Sequence, residues 1–173
     1  MHMEMNEPLN PKDVVFFWGG IYSQWHRARI KIDGMYFHTC EHWMIYNKAK
    51  FFNDQEALAE IAKTKDPGRH KSIGRKVKNF DRDKWNTISR LVVYRGNLAK
   101  FTQHRDLMEE LSLTEGQLIV EASPTDSVWG IGMEKDDPDA LYPSRWRGTN
   151  WLGEAIMQVR SDIKTLSPRY DLS

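Results

Sequence analysis

Thr39-Cys40-Glu41-His42-Trp43-Met44-Ile45-Tyr46-Asn47-Lys48-Ala49-Lys50-Phe51-Phe52 is the stretch whose reading decides the fold. A threonine hydroxyl accepts a hydrogen bond from a first-turn N–H, and no Gly or Pro interrupts the run to Phe52, so the stretch predicts a helix beginning after Thr39. In that helix Glu41, Ile45, Lys48 and Phe52 fall at i, i+4, i+7 and i+11, the spacing of a core-facing stripe. A carboxylate and an amine therefore share the stripe, two turns and roughly 10 Å of rise apart. That is too far for an i,i+4 surface pair but suits two groups closing on a ligand between them. The alternative is that both snorkel to solvent while their stems pack. Spacing alone leaves both readings open.

Upstream of the helix, residues 14–18 form a short apolar run closed by Gly19-Gly20, which predicts a buried strand entering a turn. Ser23-Gln24-Trp25 follows in a loop, and charged and apolar residues then alternate from Arg29 to a hairpin turn at Asp33-Gly34. Downstream, Asn53 with Glu56 has the form of a capping box for a helix running to about Thr64, ended by Lys65-Asp66-Pro67-Gly68. Residues 69–78 are strongly basic and predict a short helix in which Gly74 lets a neighbour approach. A solvated face or a phosphate contact would each explain those charges.

Asp81 or Asp83 caps a long helix to about Lys100, with Trp85, Ile88, Leu91, Val92 and Leu98 as its apolar side; this pattern alone makes Trp85 a core residue. A short helix over 105–111, a turn at Gly116 and a strand over 118–122 come next. Residues 123–149 have no sustained period and are rich in Pro and Gly, and a loop of that length is more often functional than idle. Asn150 is expected to cap a last helix with Leu152, Ile156, Val159 and Ile163 on one face. The fold class expected is mainly α, an α+β arrangement with a few short strands. One domain over residues 14–166 is expected, with tails at 1–13 and 167–173.

Twenty-five basic and twenty-four acidic residues leave a net charge of +1, so no global field advertises nucleic acid or membrane and any polyanion contact has to be local. The single cysteine, Cys40, rules out an internal disulfide framework and a cysteine-based zinc site. No apolar run approaches the ~20 residues needed to cross a bilayer, and no basic segment followed by an apolar one opens the chain; a cytoplasmic location and no membrane contact are the expectations. The six histidines are read as structural, with no metal and no cofactor expected. Gly130-Ile131-Gly132 is too short for a dinucleotide fingerprint, and the usual serine-nucleophile and phosphate-loop motifs are missing.

What remains is Glu41, Lys48 and Asp126, with seven Trp residues of which several stand in polar loops suited to stacking a planar base. The loop motifs are Trp18-Gly19-Gly20 with Ser23-Gln24-Trp25, Asp126-Ser127-Val128-Trp129-Gly130-Ile131-Gly132, and Arg145-Trp146-Arg147-Gly148-Thr149-Asn150. With Glu41-His42-Trp43-Met44 and Lys48-Ala49, and with Tyr94-Arg95-Gly96-Asn97, Ala99-Lys100-Phe101 and Val120-Glu121-Ala122-Ser123-Pro124, these resemble the NADAR family, also called YbiA-like, over residues 16–163.

The resemblance implies a predominantly helical fold and cleavage of an N-glycosidic bond. Members divide between early riboflavin-pathway intermediates and ADP-ribose attached to a nucleobase, guanine in DNA above all. Substrates implied are thus an ADP-ribose-containing molecule, including ADP-ribosylated DNA, or a phosphorylated ribosylaminopyrimidine. The Trp129-Gly130-Ile131-Gly132 form with Asp136-Asp137-Pro138 looks more like the ADP-ribose branch. A nucleotide-binding module without turnover is the remaining alternative.

Carried over residue by residue, the resemblance assigns catalysis to Glu41 and Lys48, with Asp126 as an orienting, acid or base group. Substrate binding falls to Trp18, Gly19, Ser23, Trp25, Trp85, Trp129, Gly130, Gly132, Arg147 and Asn150. Breaking a bond from an anomeric carbon to nitrogen leaves an oxocarbenium-like centre, which a carboxylate stabilises or an amine attacks to give an imine. A nucleophilic lysine has to be neutral. Burial against aromatic groups favours that state, and a nearby Glu⁻ opposes it.

Overall fold

The computed structural model describes residues 7–166; Met1-His2-Met3 and the expected tail over 167–173 lie outside the described residues. In chain order the elements are β1 (Val14–Phe17), β2 (Ile30–Ile32), β3 (Met35–Phe37), α1 (Cys40–Phe51), α2 (Gln55–Ala62), α3 (Pro67–Gly74), α4 (Arg82–Gln103), α5 (Arg105–Ser112), β4 (Leu118–Glu121) and α6 (Trp151–Leu166). Helices dominate and the strands are short, as the sequence predicts. The chain divides into two compact units, one continuous over Gln24–Arg105 and one built from the segments on either side.

In the continuous unit, Thr39 caps α1, its hydroxyl accepting from the His42 N–H at 3.0 Å. The helix is buried nearly all round: Cys40, Trp43, Ile45 and Ala49 are inside together with Glu41 and His42. Trp43 enters one core cluster with Ile30, Phe37, Trp85 and Val92, and Ile45 enters another with Ala57, Ile61 and Val77. The Trp43 indole N–H donates to the Val92 carbonyl at 2.8 Å, tying α1 to α4. Gly74 does let a neighbour approach: a Cβ there would lie 2.4 Å from Ile45 Cδ1. The expected hairpin also forms, with Ile30 opposite Phe37 and a turn in which Asp33 and Gly34 both have positive φ, as a two-residue connection requires.

Three local expectations are corrected. Asp54, not Asn53, caps α2, its carboxylate accepting from Ala57 N–H at 3.0 Å and from Lys78 N–H at 2.9 Å. Asn53 instead takes a left-handed conformation (φ 53°) that stops α1, and that shifts the cap by one residue. Lys65-Asp66-Pro67-Gly68 does not simply end a helix, because Asp66 caps α3 and Pro67 occupies its first turn, where no N–H is needed. On α4, Leu91 is 61% exposed, and the buried face includes Ser89, Asn97 and Lys100.

In the discontinuous unit β1 and β4 pair in parallel, Val14 opposite Leu118 and Phe17 opposite Glu121, and α6 packs on β4. The residues just before β1 are structured: Pro11–Asp13 form a 3-10 turn, and Leu9 packs on the cluster of Val14, Val120, Ile131 and Met133. The long segment after β4 is held by its own backbone bonds, Ile131 N–H to Glu121 O and Arg147 N–H to Ile131 O, both at 2.9 Å. Asn150 does not cap α6 with its side chain. It has φ 52°, and its amide clamps β4 instead, accepting from Glu121 N–H and donating to Ile119 O, each at 3.0 Å. Among the described residues no helix is long and apolar enough to cross a membrane.

Candidate active site

In the continuous unit Glu41 and Lys48 lie on one side of α1 and feel each other's charge. Glu41 is only 4% exposed, so the snorkelling alternative does not describe it. Lys48 is half-buried. Its ammonium donates to the Gly74 carbonyl at 2.7 Å and lies 4.1 Å from the Phe80 ring centre. Gly74 ends α3, so the ammonium sits where the helix dipole favours a cation. Burial pushes the Lys48 pKa below the ordinary lysine range; the Glu41 carboxylate pulls it back up and Arg82 pushes it further down. Desolvation is the largest influence, so the opposition between burial and a neighbouring carboxylate resolves towards a more readily deprotonated amine.

Side chains to which the sequence alone gives no role in the site crowd this helix. Lys100 is fully buried and close enough to Cys40 for their charges to interact; burial lowers the lysine's pKa and raises the thiol's. The Glu41 N–H donates to the Gln24 carbonyl at 3.0 Å, and Gln24 Oε1 accepts from Asn97 Nδ2 at 2.9 Å. Gln24 Nε2, Ser89 Oγ and Asn97 Oδ1 are buried without a hydrogen-bond partner among the described residues. A signal for Ser89 and Lys100 existed: Ser89, Val93, Gly96 and Lys100 repeat at i, i+4, i+7 and i+11, the same spacing as on α1, with Val93 the one large apolar side chain among them.

His38, His42 and His70 form a stack, with ring centres 5.6 Å apart for the first pair and 4.2 Å for the second, and interplanar angles of 12° and 18°. His42 Nδ1 accepts from the His38 backbone N–H at 3.1 Å, and burial, with the neighbouring His70 and His38, lowers its pKa to about 4. Neutral stacked rings pin the start of α1 beside Glu41. Among the described residues no group of three or more His, Cys, Asp and Glu side chains converges as a metal site would require.

Several residues expected to bind substrate have other work in the structure. Trp85 is 7% exposed and belongs to the core around Trp43, as its helical pattern predicts, so it offers no stacking face. Both ends of the Asn150 amide are held by β4. Gly130 is needed by the protein's own backbone, since a Cβ there would meet Glu121 O at 2.8 Å; Gly132 has φ 71° and backs onto Arg147. Trp18 and Trp25 are exposed, Gly19 stands in open space, and Ser23 donates its N–H to Gly20 O. Arg147 is exposed, 3.6 Å from the Asp137 carboxylate. In the discontinuous unit, one Asp126 oxygen accepts from Val128 N–H at 2.9 Å and Trp129 N–H at 2.8 Å, fixing a turn that presents Trp129, half-buried and edge-on to Trp151.

Set against known proteins, the chain superimposes on the NMR structure of the Escherichia coli protein YbiA with a TM-score of 0.75, covering 97% of each chain at 24% sequence identity. That defines the fold class as YbiA-like. The NADAR domain model matches residues 16–164, and the chain belongs to the NADAR family. Among curated relatives, "N-glycosidase R617" of Acanthamoeba polyphaga mimivirus is 34% identical over 161 residues, covering 86% of this chain and 95% of that protein. "Protein irg-1" of Caenorhabditis elegans is 41% identical over 130 residues, covering 73% of this chain; the match spans 61% of that longer relative.

Proposed function

We propose that the protein is an N-glycosidase that hydrolyses a ribose C1–N bond and releases ADP-ribose from a modified nucleobase, guanine in DNA being the favoured substrate. The observation that carries the reading is the placement of Lys48, half-buried between the Gly74 carbonyl and the Phe80 ring, on the same side of α1 as the enclosed Glu41; burial of the amine favours its neutral form. The name of the mimivirus relative, "N-glycosidase R617", supports the bond type. Glu41 stabilises positive charge growing at C1 as the base departs with the bonding pair and takes up a proton. The neutral Lys48 amine attacks C1, the ring oxygen takes a proton as the sugar opens to an imine, and water then hydrolyses that imine to free sugar and amine. Asp126 acts as a positioning residue that holds the turn carrying Trp129.

The experiment is to offer the purified protein an ADP-ribosylated guanine oligonucleotide and, separately, the phosphorylated ribosylaminopyrimidine, following free base and sugar by mass spectrometry. Release from the first alone supports the reading, and release from the second alone moves the protein to the riboflavin-type branch. Borohydride added during turnover should trap a sugar adduct on Lys48. An unmodified lysine during normal turnover would leave it a binding role.

A further inference from the structure

The near-neutral net charge conceals a division. Residues 24–105 carry eighteen Lys and Arg against eight Asp and Glu, a balance of +10, whereas the remaining residues carry seven against sixteen, a balance of −9. The continuous unit is therefore a strongly basic body, and its charge is patterned. From Arg27 to Ile32 the chain alternates strictly, with Ala28, Ile30 and Ile32 buried and Arg27, Arg29 and Lys31 exposed. Gln103 closes the backbone of this edge, accepting from Lys31 N–H at 2.8 Å and donating to Lys31 O at 2.9 Å, so what the edge offers outward is its side chains.

Opposite Lys31 in the hairpin stands Tyr36, 51% exposed. The Arg29 guanidinium lies 3.8 Å over its ring centre and the Lys31 ammonium 5.4 Å away. A guanidinium stacked on a ring is held flat with its N–H edge outward, which suits a phosphate better than a mobile lysine does. The positive groups continue past the hairpin: Arg27, Arg29 and Lys65 all bear on His38, and the Lys71 ammonium lies 5.9 Å from the exposed Trp25 ring. The Asp33 carboxylate, at the hairpin turn, is engaged by Arg95.

We infer that this face, centred on Arg27, Arg29, Lys31 and Tyr36, binds the backbone of single-stranded nucleic acid. Same-side residues on an extended strand recur every ~6.7 Å, comparable to the separation of successive phosphates on an extended single strand. Cations interleaved with exposed aromatic rings are the composition of surfaces that track such strands without reading sequence. An acidic peptide would satisfy the charges but leave the rings unused. The inference stands apart from the catalytic reading, because it concerns unmodified strands and residues outside the Glu41 and Lys48 machinery.

The test is fluorescence anisotropy of the full chain with labelled oligo-dT and oligo-rU across a salt series, with heparin and polyglutamate as competitors. Three phosphate contacts predict a log–log salt slope of about −2. R29A/K31A should weaken binding at least about tenfold and flatten the slope by about 1.4. Y36A should weaken binding with the slope kept. Circular dichroism and turnover of a small nucleotide substrate should match wild type in every variant, and R29Q/K31Q supplies a milder change should the alanine pair unfold. Oligonucleotide binding that these variants leave intact, no binding at low salt, or polyglutamate competing as well as oligo-dT would each overturn the proposal.

Discussion

Lys48 Nζ and the Gly74 carbonyl are hydrogen-bonded at 2.7 Å, so the amine assigned to chemistry rests against the last carbonyls of α3. A neutral amine can keep one N–H on this carbonyl and hold its lone pair free, so the bond orients the nitrogen. Because burial already lowers its pKa, the loss of a proton, which weakens the same bond, comes at a lower pH than for an ordinary lysine.

Removing the neighbouring carboxylate should sharpen this. Glu41 raises the Lys48 pKa, so Glu41→Gln is expected to lower it further, read from heteronuclear NMR of the lysine side chain across pH. Turnover should fall about 10²–10⁴-fold with the fold intact. Wild-type turnover with a verified substrate would remove Glu41 from the mechanism.

Lys48→Arg keeps a positive charge but cannot become neutral at accessible pH. It should retain ligand binding and lose turnover at every pH, whereas wild-type kcat should climb with pH as Lys48 deprotonates. A Lys48→Arg enzyme that turns over with a normal pH profile would argue for a purely electrostatic role.

The histidine stack makes stability sensitive to acid. His42 has a folded pKa of about 4 against an ordinary value of 6.5, so between those limits the unfolded chain binds more protons than the folded one. Stability should be fully present above about pH 6.5 and decline as pH falls towards 4. Urea midpoints at pH 7.5 and 4.5 measure the loss, which should shrink in His42→Gln.

Asn150 and Gly153 together fix α6 to β4. A Cβ at 153 would sit 2.1 Å from Ile119 O and 2.5 Å from Asn150 Nδ2, and neither atom is at the end of a side chain that can swing away. Gly153→Ala should destabilise by about 3 kcal/mol or more. Asn150→Ala, which strands Ile119 O and Glu121 N, should cost on the order of 3 kcal/mol. Denaturant midpoints of both variants, at unchanged m-value, check this.

Much of this was legible in the chain. The Thr39 cap, the stripe through Glu41 and Lys48, the Asp33-Gly34 turn and the close approach at Gly74 all follow from local chemistry. What sequence reading missed depends on contacts between distant segments. Asn53 and Asp54 are equally good caps by residue type, and Lys78, remote in sequence, supplies a second N–H to Asp54. Asn150 looks like a cap until β4 presents two backbone groups to it. Leu91, expected on the apolar side, is exposed because the α4 face that is buried includes polar side chains such as Ser89, Asn97 and Lys100, and net charge summed over the whole chain hid the basic body at 24–105.

The pairing of β1 with β4 also has a bearing on how the molecule is made. Val14 meets Leu118 across more than a hundred residues, and the whole of 24–105 lies between them in sequence. On a ribosome β2 can pair with β3 and α1 can pack on α4 once Arg105 emerges, while residues 14–17 wait, apolar and without their β4 partner, for a strand not yet translated. The order of birth is thus written into the topology, and the waiting segment is the part of the nascent chain most exposed to wrong partners.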